Sequence, residues 1–339
     1  MSDRRNGEAG VALRPRIGFL GVGWIGLQRL RAMLETGVVE VAGIADISAA
    51  NSDAARGLAR GAECVANLGE LLEMDLDGVV IATPSALHAE QSIAALESGA
   101  AVFCQKPLGR TAEETRRVVE AARVADRLLG IDLSYRYTDG MVRIAELARS
   151  GELGRIFFVD LVFHNAYGPD KPWFYDPALS GGGCVIDLGV HLVDLALWAL
   201  GFPDVADLSA NLLSAGQPLA EVAGGVEDFA AATLTLADGA VARIACSWRL
   251  HAGRDAEISA SFFGTEGGAS LRNVSGSFHD FTAERFRGTS RETLASPPDA
   301  WGGRAAADWA RRLAAGARFD AAAERFVDVA RVLDRIYGR

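Results

Sequence analysis

Cysteine is scarce in this chain, four residues in 339, and none sits in a CxxC or other paired spacing. That excludes a disulfide framework and a cysteine-built metal site, so Cys64, Cys104, Cys184 and Cys246 read as reduced, mostly buried thiols. No metal is expected: there is no HExxH helix, and the Asp187–His191 pair has no third ligand at recognisable spacing. Runs of basic residues are missing too. The net charge is −10 with acids and bases interspersed, which argues against nucleic acid, anionic membrane and highly anionic substrates. No apolar stretch approaches the length needed to span a bilayer. Arg4-Arg5 stands in a polar leader, residues 1–15, but no hydrophobic segment follows, so the leader reads as disordered and the protein as cytoplasmic.

Against these absences, half of the residues are hydrophobic, enough for two cores in two domains. The first domain spans residues 16–131. Arg16–Leu20 is an apolar run leading into Gly21-Val22-Gly23-Trp24-Ile25-Gly26, after which Leu27, Leu30, Met33 and Leu34 keep helical spacing. This is the strand–turn–helix context in which GxGxxG means a dinucleotide site. Gly21 makes the tight turn, Gly23 admits the pyrophosphate, Gly26 allows close packing, and the helix start offers free N–H groups to phosphate. A second apolar run ends at Asp46, placed to accept the adenosine ribose hydroxyls and to repel a 2′-phosphate. No arginine follows (Ile47, Ser48, Ala49), which favours NAD over NADP. Further strands, Asp77–Ala82, Ala101–Cys104 and Leu128–Leu133, alternate with helices. The expected fold is therefore α/β, a doubly wound parallel sheet with ligands at the carboxyl ends of its strands. Thr83, Pro84, Ser85, His88, Gln105 and Lys106 fall just beyond such ends.

Residues 132–320 change texture. A short helix (Met141–Arg149) precedes strands with period-two alternation at Arg155–Asn165, Glu227–Ala237, Ala240–Leu250 and Ala256–Gly264, with an Asp238-Gly239 hairpin between two of them. An α+β domain with a large mixed or antiparallel open sheet is expected, and a face of it is expected to join a homodimer or homotetramer. Helices over about Trp301–Ala315 and Ala321–Tyr337 close the chain. The last, within residues 321–339, is expected to pack back on the first domain.

The chemistry concentrates in Gly181-Gly182-Gly183 and the segment after it. Asp187 and His191 are four apart and share one face of the expected Val185–Leu200 helix, and the glycines let backbone or substrate come close. Lys106 precedes a proline and is held in an extended turn at a strand end, within reach of a substrate hydroxyl. Oxidising a secondary alcohol sends a hydride to a nicotinamide and a proton to a base. His191 is the favoured base, with Lys106 nearly equal, and Asp187 holds the imidazole tautomer or a neighbouring hydroxyl. The aromatic segment His164–Tyr175 suits a sugar, which picks out His164 and Trp173 as substrate-facing.

With these pieces placed, the chain resembles the Gfo/Idh/MocA family of NAD(P)-dependent sugar and polyol oxidoreductases over residues 16–337. The resemblance rests on Gly21–Gly26, Ala82-Thr83-Pro84-Ser85 with His88, the Lys106-Pro107 turn, Gly181–Gly183 with Asp187 and His191, and Gly264-Thr265-Glu266-Gly267. It implies Lys106, Asp187 and His191 as the catalytic group, with Thr83–His88 near the nicotinamide and Tyr135-Arg136-Tyr137 bordering the cleft. Trp24, Ile25, Ile47 and Arg136 thereby join the expected cofactor contacts, and Tyr135 the substrate contacts. One departure stands out: the family turn is Glu-Lys-Pro, and this chain has Gln105. Loss of a carboxylate beside the ammonium is expected to ease deprotonation of Lys106. Two other activities fit the same residues, an NAD-dependent glycosidase working through transient C3 oxidation and a non-catalytic NAD-binding sensor.

Overall fold

The computed structural model describes residues 14–339, so the expected leader lies outside the described residues except for its last two positions. The first unit runs β1 (Arg16–Leu20), α1 (Trp24–Glu35), β2 (Glu40–Ala45), α2 (Ala49–Leu58), β3 (Glu63–Val65), α3 (Leu68–Leu72), β4 (Gly78–Ile81), α4 (Ser85–Glu97), β5 (Ala101–Cys104), α5 (Ala112–Ala125) and β6 (Leu129–Ile131). Its six strands are parallel in the order β3-β2-β1-β4-β5-β6, the doubly wound sheet expected from the alternation. Every residue of β4 and β5 is buried, because helices cover both faces of the sheet.

The second unit comprises α6 (Asp139–Ser150), β7 (Ile156–Asn165), α7 (Pro177–Ser180), α8 (Val190–Ala199), β8 (Val205–Ser214), β9 (Gln217–Pro218), β10 (Phe229–Leu236), β11 (Val241–Ser247), β12 (Ala256–Gly264), β13 (Gly268–Asn273), β14 (Phe281–Arg287) and β15 (Ser290–Ala295). They form one nine-stranded mixed sheet, β15-β14-β13-β12-β7-β11-β10-β8-β9, in which only the β7–β11 pair is parallel among the described strands. β8, β9 and β13–β15 are not anticipated from the sequence. β15 (SRETLA) shows why: an edge strand exposed at its first four residues carries no alternation to read.

One boundary differs from expectation. α9 (Arg304–Ala314), expected in the second unit, packs on the first, with Trp309 in the core formed by Ile17, Phe19, Val80 and Phe103. Gly78 and Gly130 make room for its indole, since a Cβ at either would come within 2.7 Å of it. α10 (Glu324–Ile336) is shared. Ala323 and Val327 enter the first unit's core, while Val329, Val332, Leu333 and Ile336 enter the second's.

The expectation about apolar length also needs correction. Pro177–Ala199 is a 23-residue helical stretch, long and apolar enough to cross a membrane by an 18-residue window of mean hydropathy 1.5, but 89% of that window is buried inside the protein. It is apolar all round because the sheet, α6 and α10 enclose it. Cys184 within this stretch and Cys246 in β11, distant in sequence, bring their sulfurs to 3.8 Å; both are free and buried, while Cys64 is exposed.

Candidate active site

A cleft of about 750 Å³ opens where β1, β4, β5 and β6 end, and the second unit closes its far wall. The glycine turn forms one rim. Gly21 takes φ +85°, and a side chain there would meet the Ala82 carbonyl oxygen at 2.6 Å; Gly26 is pinned against the Gly21 carbonyl. At Gly23, by contrast, a Cβ would meet nothing within 4 Å. Gly23 also begins α1 without any side-chain cap, so its N–H groups face open ground, which suits a pyrophosphate. Asp46 braces this turn: one carboxylate oxygen accepts the Val22 amide at 2.7 Å and the other accepts from Ser48 N and Asn51 Nδ2. Ile47 is fully exposed beside it, and Trp24 (71% exposed) stands at the cleft mouth with Ile25.

Lys106 extends from the turn after β5 across to the second unit. Its Nζ donates to Asp187 Oδ1 and to the Asp187 carbonyl oxygen, both at 2.6 Å. Trp248 Nε1 donates to the other oxygen of that carboxylate at 3.1 Å. The segment carrying Asp187 (Val185–Gly189) is a π-helical turn rather than the plain α-helix expected, and the wider turn is held from outside. The buried Glu227 carboxylate accepts from Gly183 N and Val185 N, its carbonyl accepts from Cys184 N, and Tyr337 Oη donates to it at 2.7 Å. The three glycines admit close protein packing behind the cleft wall: a Cβ at Gly182 would collide with the Tyr337 hydroxyl and one at Gly183 with the Glu227 carbonyl.

His191 lies in the same cleft, 7% exposed, with the Tyr135 ring edge-on at 4.8 Å. Its Nδ1 has no hydrogen-bond partner, because Asp187 is turned to Lys106 and Trp248. The expected Asp187–His191 hydrogen bond is thus not formed. Burial, and next the charges of Lys106 and Arg29, push the His191 imidazole well below its usual value of 6.5. That keeps the imidazole neutral at physiological pH.

That depression has a sign. The unfolded chain takes up a proton below pH 6.5 that the folded one refuses, so stability is complete above 6.5 and declines as pH falls below it. The expected slope from His191 is about 1.4 kcal/mol per pH unit. Urea denaturation from pH 7.5 to 5 should show a shallower decline in His191→Asn; equal slopes would contradict the buried neutral imidazole.

The other sequence-predicted residues divide. Thr83, Pro84, Ser85, His88, Gln105, Tyr135 and Trp173 line the cleft. His88 reaches two backbone carbonyls, Pro107 O at 2.6 Å and Thr83 O at 2.7 Å, and so ties the Lys106 turn to the Thr83 turn. Arg136 does not line the cleft. Its guanidinium is paired with Asp194, a buried carboxylate that requires a cation beside it, and faces the rings of Trp198 and Phe202. His164 is also elsewhere, bonded to Ser247 Oγ at 2.8 Å and stacked on Phe229, since its strand position turns it away from the cleft. Lys106 has a carboxylate beside it, Asp187, and Gln105 donates to Asp132. Sequence reasoning does not reach Arg29, Asp132, Trp301 or Trp248. One signal is in view for part of the site: the chain has only two lysines, 106 and 171, and both line the cleft. Among the described residues no cluster of three or more side chains could hold a metal.

Comparison with known proteins bears on the family and the fold. Residues 15–133 match the oxidoreductase family described as having an NAD-binding Rossmann fold, and residues 141–270 match the GFO/IDH/MocA C-terminal domain. D-glucoside 3-dehydrogenase of Escherichia coli (strain K12) is 30% identical over 211 residues, 59% of this chain and 60% of that protein. The match thus spans about three fifths of that relative's length. The 1,5-anhydro-D-fructose reductase of Ensifer adhaerens is 30% identical over 260 residues, covering 74% of this chain and 75% of that protein. Among solved structures, levoglucosan dehydrogenase in complex with NADH superposes with TM-score 0.81 at 22% identity over 96% of both chains, a likeness of fold. An NAD-binding first domain, a matching second domain and a relative aligned over three quarters of its length leave one conclusion: this chain belongs to the GFO/IDH/MocA oxidoreductase family.

Proposed function

We propose that this protein is an NAD-dependent oxidoreductase acting on a secondary alcohol of a neutral sugar or polyol. The observation that carries the reading is the meeting of Lys106 and Asp187 at 2.6 Å, drawn from two units, beside the neutral His191 and the dinucleotide turn. The bound nicotinamide supplies hydride acceptance or donation. The protein's residues do the rest. Two of the three N–H bonds of Lys106 are taken by Asp187, which leaves the third for the reacting substrate oxygen, where it stabilises alkoxide character. His191, neutral and with only its Nδ1 enclosed, accepts the hydroxyl proton at its other ring nitrogen and returns it in the reverse direction. Tyr135, Trp173 and Trp301 offer rings to the apolar face of a sugar. Asp46 and the exposed Ile47, with no arginine following, favour NAD over NADP.

The test is reduction of NAD⁺ against a panel of aldoses, inositols, glycosides and sugar acids. Net NADH formation with neutral members, at least about tenfold faster than with NADP⁺, is expected. Hydrolysis of a glycoside without net NADH would select the glycosidase reaction instead, and NADH binding without turnover on any member would select a sensor. We place the protein in the cytoplasm and a homodimer or homotetramer contact on the outer face of the nine-stranded sheet. Light scattering on the same preparation should give two or four times 35.8 kDa, and a monomer mass would remove the contact.

A further inference from the structure

Gln105 follows β5 one residue before Lys106, and Asp132 follows the neighbouring β6; both line the cleft. Asp132 is 1% exposed. Its Oδ2 accepts from Arg29 Nε at 2.5 Å and from Gln105 Nε2. A carboxylate in an ion pair only accepts hydrogen bonds, so the amide nitrogen of Gln105 must face it. The opposite end of the amide, Oε1, then has no protein donor among the described residues and is not one of the enclosed unpartnered atoms.

We propose that Asp132, held by Arg29, is a positioning residue that fixes the orientation of Gln105, so that Oε1 is presented to the cleft as a permanent acceptor for a ligand hydroxyl. This rests on reading the cleft as the dinucleotide and sugar site. It gives a physical reason for an amide at position 105: a glutamate there would set a second carboxylate against Asp132, with Arg29 alone to serve both. The acceptor is thus shared between two adjacent strand ends, one carboxylate buried as a backstop and one amide oxygen working.

The hydroxyl belongs either to the ribose of the cofactor or to the sugar, and NADH titration by fluorescence in the absence of sugar separates the two. Gln105→Glu is expected to weaken ligand binding by roughly tenfold, the worth of one misdirected hydrogen bond, whereas Asp132→Asn alone, whose amide oxygen can stand where Oδ2 accepts from both Arg29 and Gln105, should stay within about threefold of wild type. In the double variant the new amide at position 132 can donate to the new carboxylate at position 105, and binding should return to within about threefold of wild type. A shift in NADH affinity assigns the ribose; unchanged NADH affinity with a raised sugar KM assigns the substrate. If neither moves in Gln105→Glu, or if the double variant is no better than Gln105→Glu, the proposal is overturned. Should the double variant fail to fold, as a melt would reveal, Gln105→Met keeps the Arg29–Asp132 pair and must show the same loss as Gln105→Glu. Wild-type protein that binds no NADH would instead overturn the dinucleotide reading itself, and this inference with it.

Discussion

Lys106→Met is expected to lower kcat/KM by about a thousandfold while leaving NADH affinity within a few-fold, as removal of a single oxyanion-stabilising donor does elsewhere. Methionine keeps the length of the side chain and removes only the ammonium. Asp187 would retain the Trp248 indole as donor, so its carboxylate is not abandoned. A second readout separates a catalytic from a merely structural loss. The Lys106 charge is one reason the His191 imidazole titrates so low, so its removal should raise that value and move the acid limb of residual activity to higher pH. A variant that keeps near-full turnover, or loses it with an unmoved acid limb, would contradict the assignment of Lys106 and His191 to one reacting centre.

Gly183→Ala should be the most damaging single methyl group in the protein. Its Cβ would overlap the Glu227 carbonyl oxygen and lie 3.1 Å from the Glu227 carboxyl carbon, with no flexible side-chain tip to give way. The same Glu227 caps three successive amides of the Asp187 segment and is itself buried, its carboxyl pushed up by desolvation against the pull of those donors. Displacing it leaves a buried acid and several amides unpaired, a loss of about 3–5 kcal/mol. Chemical denaturation would measure it. The alanine at Gly23, where nothing lies within 4 Å, is the contrast: folding should be nearly unchanged and NADH binding weakened. Equal stability of Gly183→Ala and wild type would show that the loop can relax, and that the glycines are not there for Glu227.

Much of this is legible from residue order alone. The glycine turn, Asp46, the Lys106 turn and the alternation of strands are local features: each depends on neighbours within a few positions, and local propensity and periodicity report them directly. The four strands with clean alternation are readable for the same reason, and the edge strand β15, with no buried face, is not. α9 illustrates a different limit. Its helical period is plain, but which core receives Trp309 depends on the space left by Gly78 and Gly130, far away in sequence.

The sequence by itself determined that a dinucleotide turn, a lysine turn and an Asp–x–x–x–His segment exist, because these are set by short-range backbone chemistry. Tertiary structure alone decided their partnerships: Asp187 to Lys106 and Trp248 rather than to His191, Arg136 to Asp194 rather than to a cofactor, Gln105 to Asp132, and Glu227 with Tyr337 beneath the glycines. The reason is physical. A buried polar group must find a partner wherever the fold brings one within about 3 Å, and that choice depends on contacts between residues 27 to 110 positions apart, about which spacing along the chain carries no information.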